Sequence, residues 1–249
     1  MEPRKIVEGV YWVGVNDYTK KLFESLWPLP SGVSYNSYVV AGSRDIAIVD
    51  TVDERYTYEY LGLLREVIED SSRVKYIVVN HLEPDHHGAL EKLLKFFPNA
   101  SVVVSAVGAN IISSLYRVPR DRLTVVRDGD SVDLGGRRLR FIYTPWIHWP
   151  ETMMTYLEDE GVLFSGDAFG SFGALKSGVF DDEVDIGFYI QEAKRYFANI
   201  VSKYSKNVVD AVEKLKKLGL SIRVVAPSHG PVWRRDPQKI IDLYYRWST

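Results

Sequence analysis

All five histidines of this chain fall, together with three acidic residues, into one sparse array: His81-x-Glu83-x-Asp85-His86-His87, then His148, Asp167 and His229. Histidines that only complete a core or a surface should scatter, so this partition points to a polynuclear metal site. Seven of these side chains are donor candidates: His81, Glu83, Asp85, His86, His148, Asp167 and His229. That is too many for one tetrahedral ion and suits two ions sharing a bridge, for which Asp167, a lone carboxylate between two distant histidines, is the natural choice. Three carboxylates beside imidazoles make a hard, charge-rich donor set of the kind iron tolerates. His87 is the exception, since its neighbours already supply the ligands and its side chain is expected to point elsewhere.

The elements around the array fit this reading. Pro84 biases Glu83 toward extended geometry, where residues two apart project to the same side, so His81, Glu83 and Asp85 can converge. The stretch after them, Gly88-Ala-Leu-Glu-Lys-Leu-Leu, has helical spacing and places Asp85 and His86 at a helix start. His81, Asp167 and His229 each follow an apolar run rich in Val, Ile and Leu and so lie just past a strand end. Further strands are expected at Val10 to Val15, Tyr35 to Val40, Ile46 to Asp50, Val102 to Ser105, Leu123 to Val126, Leu139 to Tyr143 and Met154 to Leu157. Helical stripes run through Tyr60 to Ile68, Leu90 to Phe97, Ile190 to Val201 and Val208 to Leu218, the last closed by Gly219. Strands outnumber helices and the helices are dispersed, which favours two sheets covered by helices over a bundle.

Composition narrows the chemistry. With 249 residues, 46% of them hydrophobic, the chain can bury one large core, and a single domain over residues 1–249 is expected. A formal net charge of -2 argues against nucleic acid or an anionic membrane as partner. The absence of cysteine excludes disulfides, thiolate ligands, iron–sulfur clusters and thiol nucleophiles, leaving only nitrogen and oxygen donors. No run of 18 or more apolar residues occurs, and the first residues move straight into β-type alternation, so a cytoplasmic protein is the expectation. Two rival motifs fit less well. Glu83-Pro-Asp-His86 matches the Glu-x-x-His of helical diiron bundles, but that scheme needs two copies. The glycine-rich Gly166 to Gly173 stretch is neither a phosphate loop nor a dinucleotide fingerprint.

The array resembles the diiron domain of the flavodiiron proteins, a branch of the metallo-β-lactamase superfamily. Gly32-Val-Ser-Tyr-Asn-Ser-Tyr38, Thr144-Pro-Trp-Ile-His-Trp-Pro150, Leu163 to Gly170 and Pro227-Ser-His-Gly-Pro-Val-Trp233 extend the resemblance over nearly the whole chain. It implies an α/β (α+β) fold, an αββα sandwich of two mixed sheets flanked by helices, with two metals at one edge. Glu83 stands where the hydrolases of the superfamily carry histidine, and in the family that exchange marks iron chemistry. The resemblance assigns His81, Glu83 and His148 to one iron, Asp85, His86 and His229 to the other, and Asp167 to both, with Zn a possible occupant of isolated protein. It further implies reduction of O2 to water or of NO to N2O. Tyr196 is the candidate proton donor beside the ligands. The histidine that some relatives keep before the Tyr-Asn motif has no counterpart in Leu22-Phe-Glu-Ser-Leu-Trp27. Typical relatives continue into a flavodoxin domain, whereas this sequence stops at Thr249. FMN is therefore expected on a partner, a separate flavodoxin-like or rubredoxin-like electron donor, and a homodimer is expected by analogy. Alternatives are an O2 sensor without turnover and, further off, a zinc-dependent hydrolase.

Overall fold

The computed structural model describes residues 1–249. Its strands form two main sheets. The first holds β1 (Arg4–Val7), β2 (Val10–Trp12), β7 (Tyr38–Ala41), β8 (Ile46–Val49), β9 (Val74–Val78), β10 (Ser101–Ser105) and β11 (Leu123–Val126), in that spatial order. The second holds β12 (Ser131–Asp133), β13 (Arg138–Tyr143), β14 (Met153–Leu157), β15 (Val162–Gly166) and β16 (Val224–Pro227). Both are mixed: β1, β2, β7 and β8 pair antiparallel and β8 to β11 parallel, while β12 to β15 pair antiparallel and β15 with β16 parallel. Two short ribbons, β3 (Val15–Asp17) with β6 (Val33–Tyr35) and β4 (Leu22–Phe23) with β5 (Trp27–Pro28), lie beside them.

Period-two alternation builds the layers. Ala47 and Val49 of β8, Leu139 and Phe141 of β13 and Phe164 of β15 share one buried cluster, and Tyr38 meets Phe164 at 5.1 Å between ring centroids, so this cluster is the seam between the sheets. The intervening residues Ile48, Ile142 and Leu163 belong to the other cluster, together with the apolar stripes of the helices. Helices α1 (Thr57–Val67), α2 (Pro84–His87), α3 (Leu90–Phe96) and α4 (Ala106–Leu115) follow strands of the first sheet. Helices α5 (Ile186–Tyr196), α6 (Ser205–Lys217) and α7 (Pro237–Ser248) follow strands of the second. Every fully buried Val, Leu or Ile in these layers contributes roughly 1.5–3 kcal/mol relative to exposure. The αββα architecture expected from the sequence is thus the one observed.

Local differences have physical causes. The run from Val10 to Val15 is two strands rather than one, because the backbone at Gly14 passes so close to Tyr35 that an added Cβ would lie 2.4 Å from its carbonyl oxygen. Helix α4 carries β-favouring Val and Ile residues, but the Ser105 hydroxyl accepts from Gly108 N and caps its start. The expected helical stripe ending at Val201 begins as α5 and passes at Phe197–Val201 into a π-helical turn, a feature often found beside functional sites.

Candidate metal centre

The ends of both sheets deliver the site. His81 follows β9, Glu83 caps α2 in extended geometry (φ -64°, ψ 139°), and Asp85 and His86 lie within α2. His148 comes from the β13–β14 connection, and Asp167 and His229 stand just past the parallel neighbours β15 and β16. All seven side chains are buried. Their candidate ligand atoms form two groups, His81, Glu83, His148 and Asp167 in one and Asp85, His86 and His229 in the other, with the atoms of each group within 4.8 Å of one another.

Asp167 faces both groups. Its Oδ2 lies 3.0 Å from His148 Nε2 and 3.6 Å from His81 Nε2, while its Oδ1 lies 2.8 Å from His86 Nε2 and 3.7 Å from His229 Nε2. Glu83 Oε2 is 3.3 Å from His81 Nε2 and 3.1 Å from His148 Nε2. Asp85 reaches His86 at 3.4 Å and His229 at 3.4 Å through different oxygens. His87 belongs to neither group, and its Nε2 lies 3.5 Å from Asp50 Oδ1.

The donor set fits cations. Both oxygens of Asp85 and of Asp167, both nitrogens of His86 and Nε2 of His229 are buried without a well-formed hydrogen bond, whereas buried polar groups are ordinarily paired. Unpaired buried charge costs several kcal/mol, a cost that a bound cation removes. Oxygen and imidazole donors of this kind suit Fe, Mn or Zn. The protein groups alone show the tension. Burial pushes Asp85 up to about 7, helped by Glu83 and Asp167 and opposed by His86. Burial works against the charged imidazoles too, but bonds to Glu151 and Glu83 raise His81 to about 10, and Asp167 and Glu83 raise His148 to about 10. His86 rises to about 9 against burial through Asp85 and Asp167, while burial and the neighbouring His86 depress His229 to about 4.

Several supporting residues carry no periodic or spacing signal, and only the fold brings them to the site. Glu151 Oε1 accepts from Leu82 N at 2.9 Å and lies 3.0 Å from His81 Nδ1. Asp50 accepts from Asn80 N and Nδ2, fixing the residue before His81. Asn36 and Ser34 lie within the Gly32 to Tyr38 motif, and here their work becomes visible. Asn36 Nδ2 donates to Pro227 O and Gly230 O, both at 2.8 Å, and His229 Nδ1 bonds Ser34 O at 2.7 Å. Gly230 itself has φ +79°, and a Cβ there would meet Ser171 Oγ at 2.0 Å. Tyr196 is fully buried with its hydroxyl unpartnered, its ring 5.6 Å from that of His229.

A cavity of about 590 Å³ leads to the site, lined among others by Lys20, Phe23, Glu24, Glu83, Asp85 and Tyr116. Glu24 sits in the turn of the β4–β5 hairpin, where it and Ser25 both have positive φ. Burial of its carboxyl, and then hydrogen bonding to Glu83, raise Glu24 to about 7.

A family model described as ODP family beta lactamase matches residues 33–230, which include every candidate ligand. The chain belongs to the ODP beta-lactamase family. Among curated relatives, a nitric oxide reductase from Moorella thermoacetica is 38% identical over 99% of this chain and 61% of its own length. Two solved structures align closely with this ODP-family chain. The rubredoxin oxygen:oxidoreductase from the anaerobe Desulfovibrio gigas has a TM-score of 0.94 at 30% identity, covering 99% of this chain and 61% of that one. The flavodiiron protein from Giardia intestinalis has a TM-score of 0.93 at 30% identity, covering 100% and 59% respectively. The resemblance to flavodiiron proteins and the metallo-β-lactamase-like fold are both borne out, and the chain spans about 60% of the length of these relatives. No helix is long and apolar enough to cross a membrane.

Proposed function

We propose that this chain is a diiron module of an oxidoreductase that reduces O2 to water, NO to N2O, or both. The observation that carries this reading is Asp167, which turns one oxygen to each of two adjoining His-carboxylate groups. His81, Glu83 and His148 would hold one ion, Asp85, His86 and His229 the other, with Asp167 shared. Iron bound there would relay electrons from an external donor to O2 or NO, the donor making up what two ferrous ions alone do not hold.

The protein's own part is to orient the ligands, exclude water and hold protons nearby. Glu151 and Ser34 O fix the orientations of His81 and His229 through the ring nitrogens turned away from the centre. Phe23 and Phe172 pack around Tyr196, and Phe23 also meets His229, making an apolar wall that keeps the centre dry. Burial holds the Tyr196 hydroxyl well above its ordinary value, so it stays protonated and has a hydrogen to donate toward the centre. The names of the relatives support the substrate reading: one is a nitric oxide reductase, another a rubredoxin oxygen:oxidoreductase. Electrons would come from a flavodoxin-like or rubredoxin-like protein carrying FMN or iron, and the module, a single domain over residues 1–249, would work as a homodimer.

The deciding experiment is metal analysis followed by anaerobic mixing of the reduced protein with O2 and with NO. Two irons per chain and rapid consumption of either gas are expected. Zinc as the native metal, or no consumption of either gas, would sink the reading.

A further inference from the structure

The two candidate metal positions match in donor type. Each has two imidazoles, one carboxylate of its own and one oxygen of Asp167. They differ in what stands behind the imidazoles. His81 Nδ1 faces a carboxylate, Glu151 Oε1 at 3.0 Å, which is buried and held in place by the Leu82 amide at 2.9 Å. The Glu151 backbone is tied in turn to Ser105, whose hydroxyl donates to Glu151 O at 2.8 Å. In the second group His229 Nδ1 is backed by a neutral carbonyl, Ser34 O at 2.7 Å, and His86 Nδ1 is buried with no partner.

A carboxylate on the outer nitrogen of a ligating imidazole fixes its tautomer and makes the inner nitrogen more basic, whereas a carbonyl does so less. A more basic ligand binds a cation more tightly and favours its higher oxidation state. We infer that Glu151 makes the His81, Glu83 and His148 position the tighter and lower-potential of the two, so that it fills first and the Asp85, His86 and His229 position fills second. This rests on the diiron reading above. Glu151 is thus a positioning residue that acts through His81 rather than touching the metal.

The test is an anaerobic titration of the metal-free 249-residue protein with Fe(II) against a chromophoric chelator, followed by potentiometric titration of the loaded protein. Two binding steps are expected. His81→Ala should remove the tighter step, and His229→Ala should leave it in place. Glu151→Gln keeps an oxygen for the same two hydrogen bonds but removes the charge. It should weaken only the tighter step, by about 10-fold, and raise the potential of that ion alone, while Glu151→Ala should approach about 100-fold. Loss of the tighter step in His229→Ala, or a Glu151→Gln effect that is absent or equal on both steps, overturns the inference while leaving a diiron centre intact. If the Glu151 variants do not fold, the comparison of His81→Ala with His229→Ala still decides which position is tighter. Binding of one ion or none overturns the diiron reading and this inference together.

Discussion

Asp167 Oδ1 lies 2.8 Å from His86 Nε2, and both side chains are fully buried. Burial opposes the charge on Asp167, yet His86, His148 and His81 outweigh it and hold the carboxyl well below its ordinary value. It therefore remains an anion with an oxygen for each group. Asp167→Asn is expected to lower metal content below two ions per chain and to weaken the remaining binding by about 10–100-fold, read by metal analysis after dialysis against a chelator. Retention of two tightly bound ions would show that Asp167 is not shared.

Asp85 links pH to stability in the metal-free protein. Its carboxyl is raised from 3.8 to about 7, mainly by burial. A folded-state value above the unfolded one means that the unfolded chain ionises first. The contribution of this group is thus most favourable below pH 3.8, and stability declines as pH rises toward about 7. In metal-free protein Asp85→Asn should match the parent in acid and melt higher at pH 8, by up to a few kcal/mol, since each tenfold change in proton affinity is worth ~1.4 kcal/mol. The same change should weaken metal binding. Thermal melts at both pH values, with and without metal, test the two opposite signs.

Metal binding should also release protons. His81, His86 and His148 are raised to about 10, 9 and 10, so near neutrality the metal-free protein carries them charged, and ligation must expel those protons. Apparent affinity is expected to rise with pH across the neutral range. Calorimetry in buffers of differing ionisation enthalpy counts the protons, and a heat that does not depend on the buffer would contradict the expectation.

The Tyr196 hydroxyl is buried and without a partner, so Tyr196→Phe should leave the folding stability unchanged or slightly higher. If this hydroxyl delivers protons, the same variant should lose on the order of 100-fold in O2 or NO reduction while keeping its full metal content. Unchanged turnover would assign Tyr196 to packing alone.

Asn36 ties three segments together through Trp12 Nε1, Pro227 O and Gly230 O. Asn36→Ala breaks all three bonds and leaves buried carbonyls unpaired, for an expected loss of about 2–4 kcal/mol in chemical denaturation. Because Pro227 and Gly230 flank His229, metal affinity should fall as well.

The candidate ligand array was legible in the sequence because it gathers four of the five histidines at short spacings or just past strands, and the surplus of short Val- and Ile-rich strands over dispersed helices carried the two-sheet reading. Glu151 was not legible. It has no fixed spacing from His81, and only the meeting of the β13–β14 connection with the end of β9, where Met153 N donates to Asn80 O at 2.9 Å, brings the two together. The same holds for Asp50, which looks like an ordinary residue at the end of a strand until Asn80 and His87 are seen to meet it. Gly14 hid a strand break for a related reason, since a close backbone approach leaves no mark on periodicity.

The division of the candidate ligands between the two sheets has a consequence for folding. His81, Glu83, Asp85 and His86 hang from the end of β9, and His148, Asp167 and His229 from the β13–β14 connection and the ends of β15 and β16. Metal bound across that seam would act as a clasp between halves of the molecule that are remote in sequence, and whatever binds only the native state adds its binding energy to cooperativity. Amide hydrogens on both sides of the seam should then exchange as one unit in the loaded protein and as two separate units once the clasp is removed.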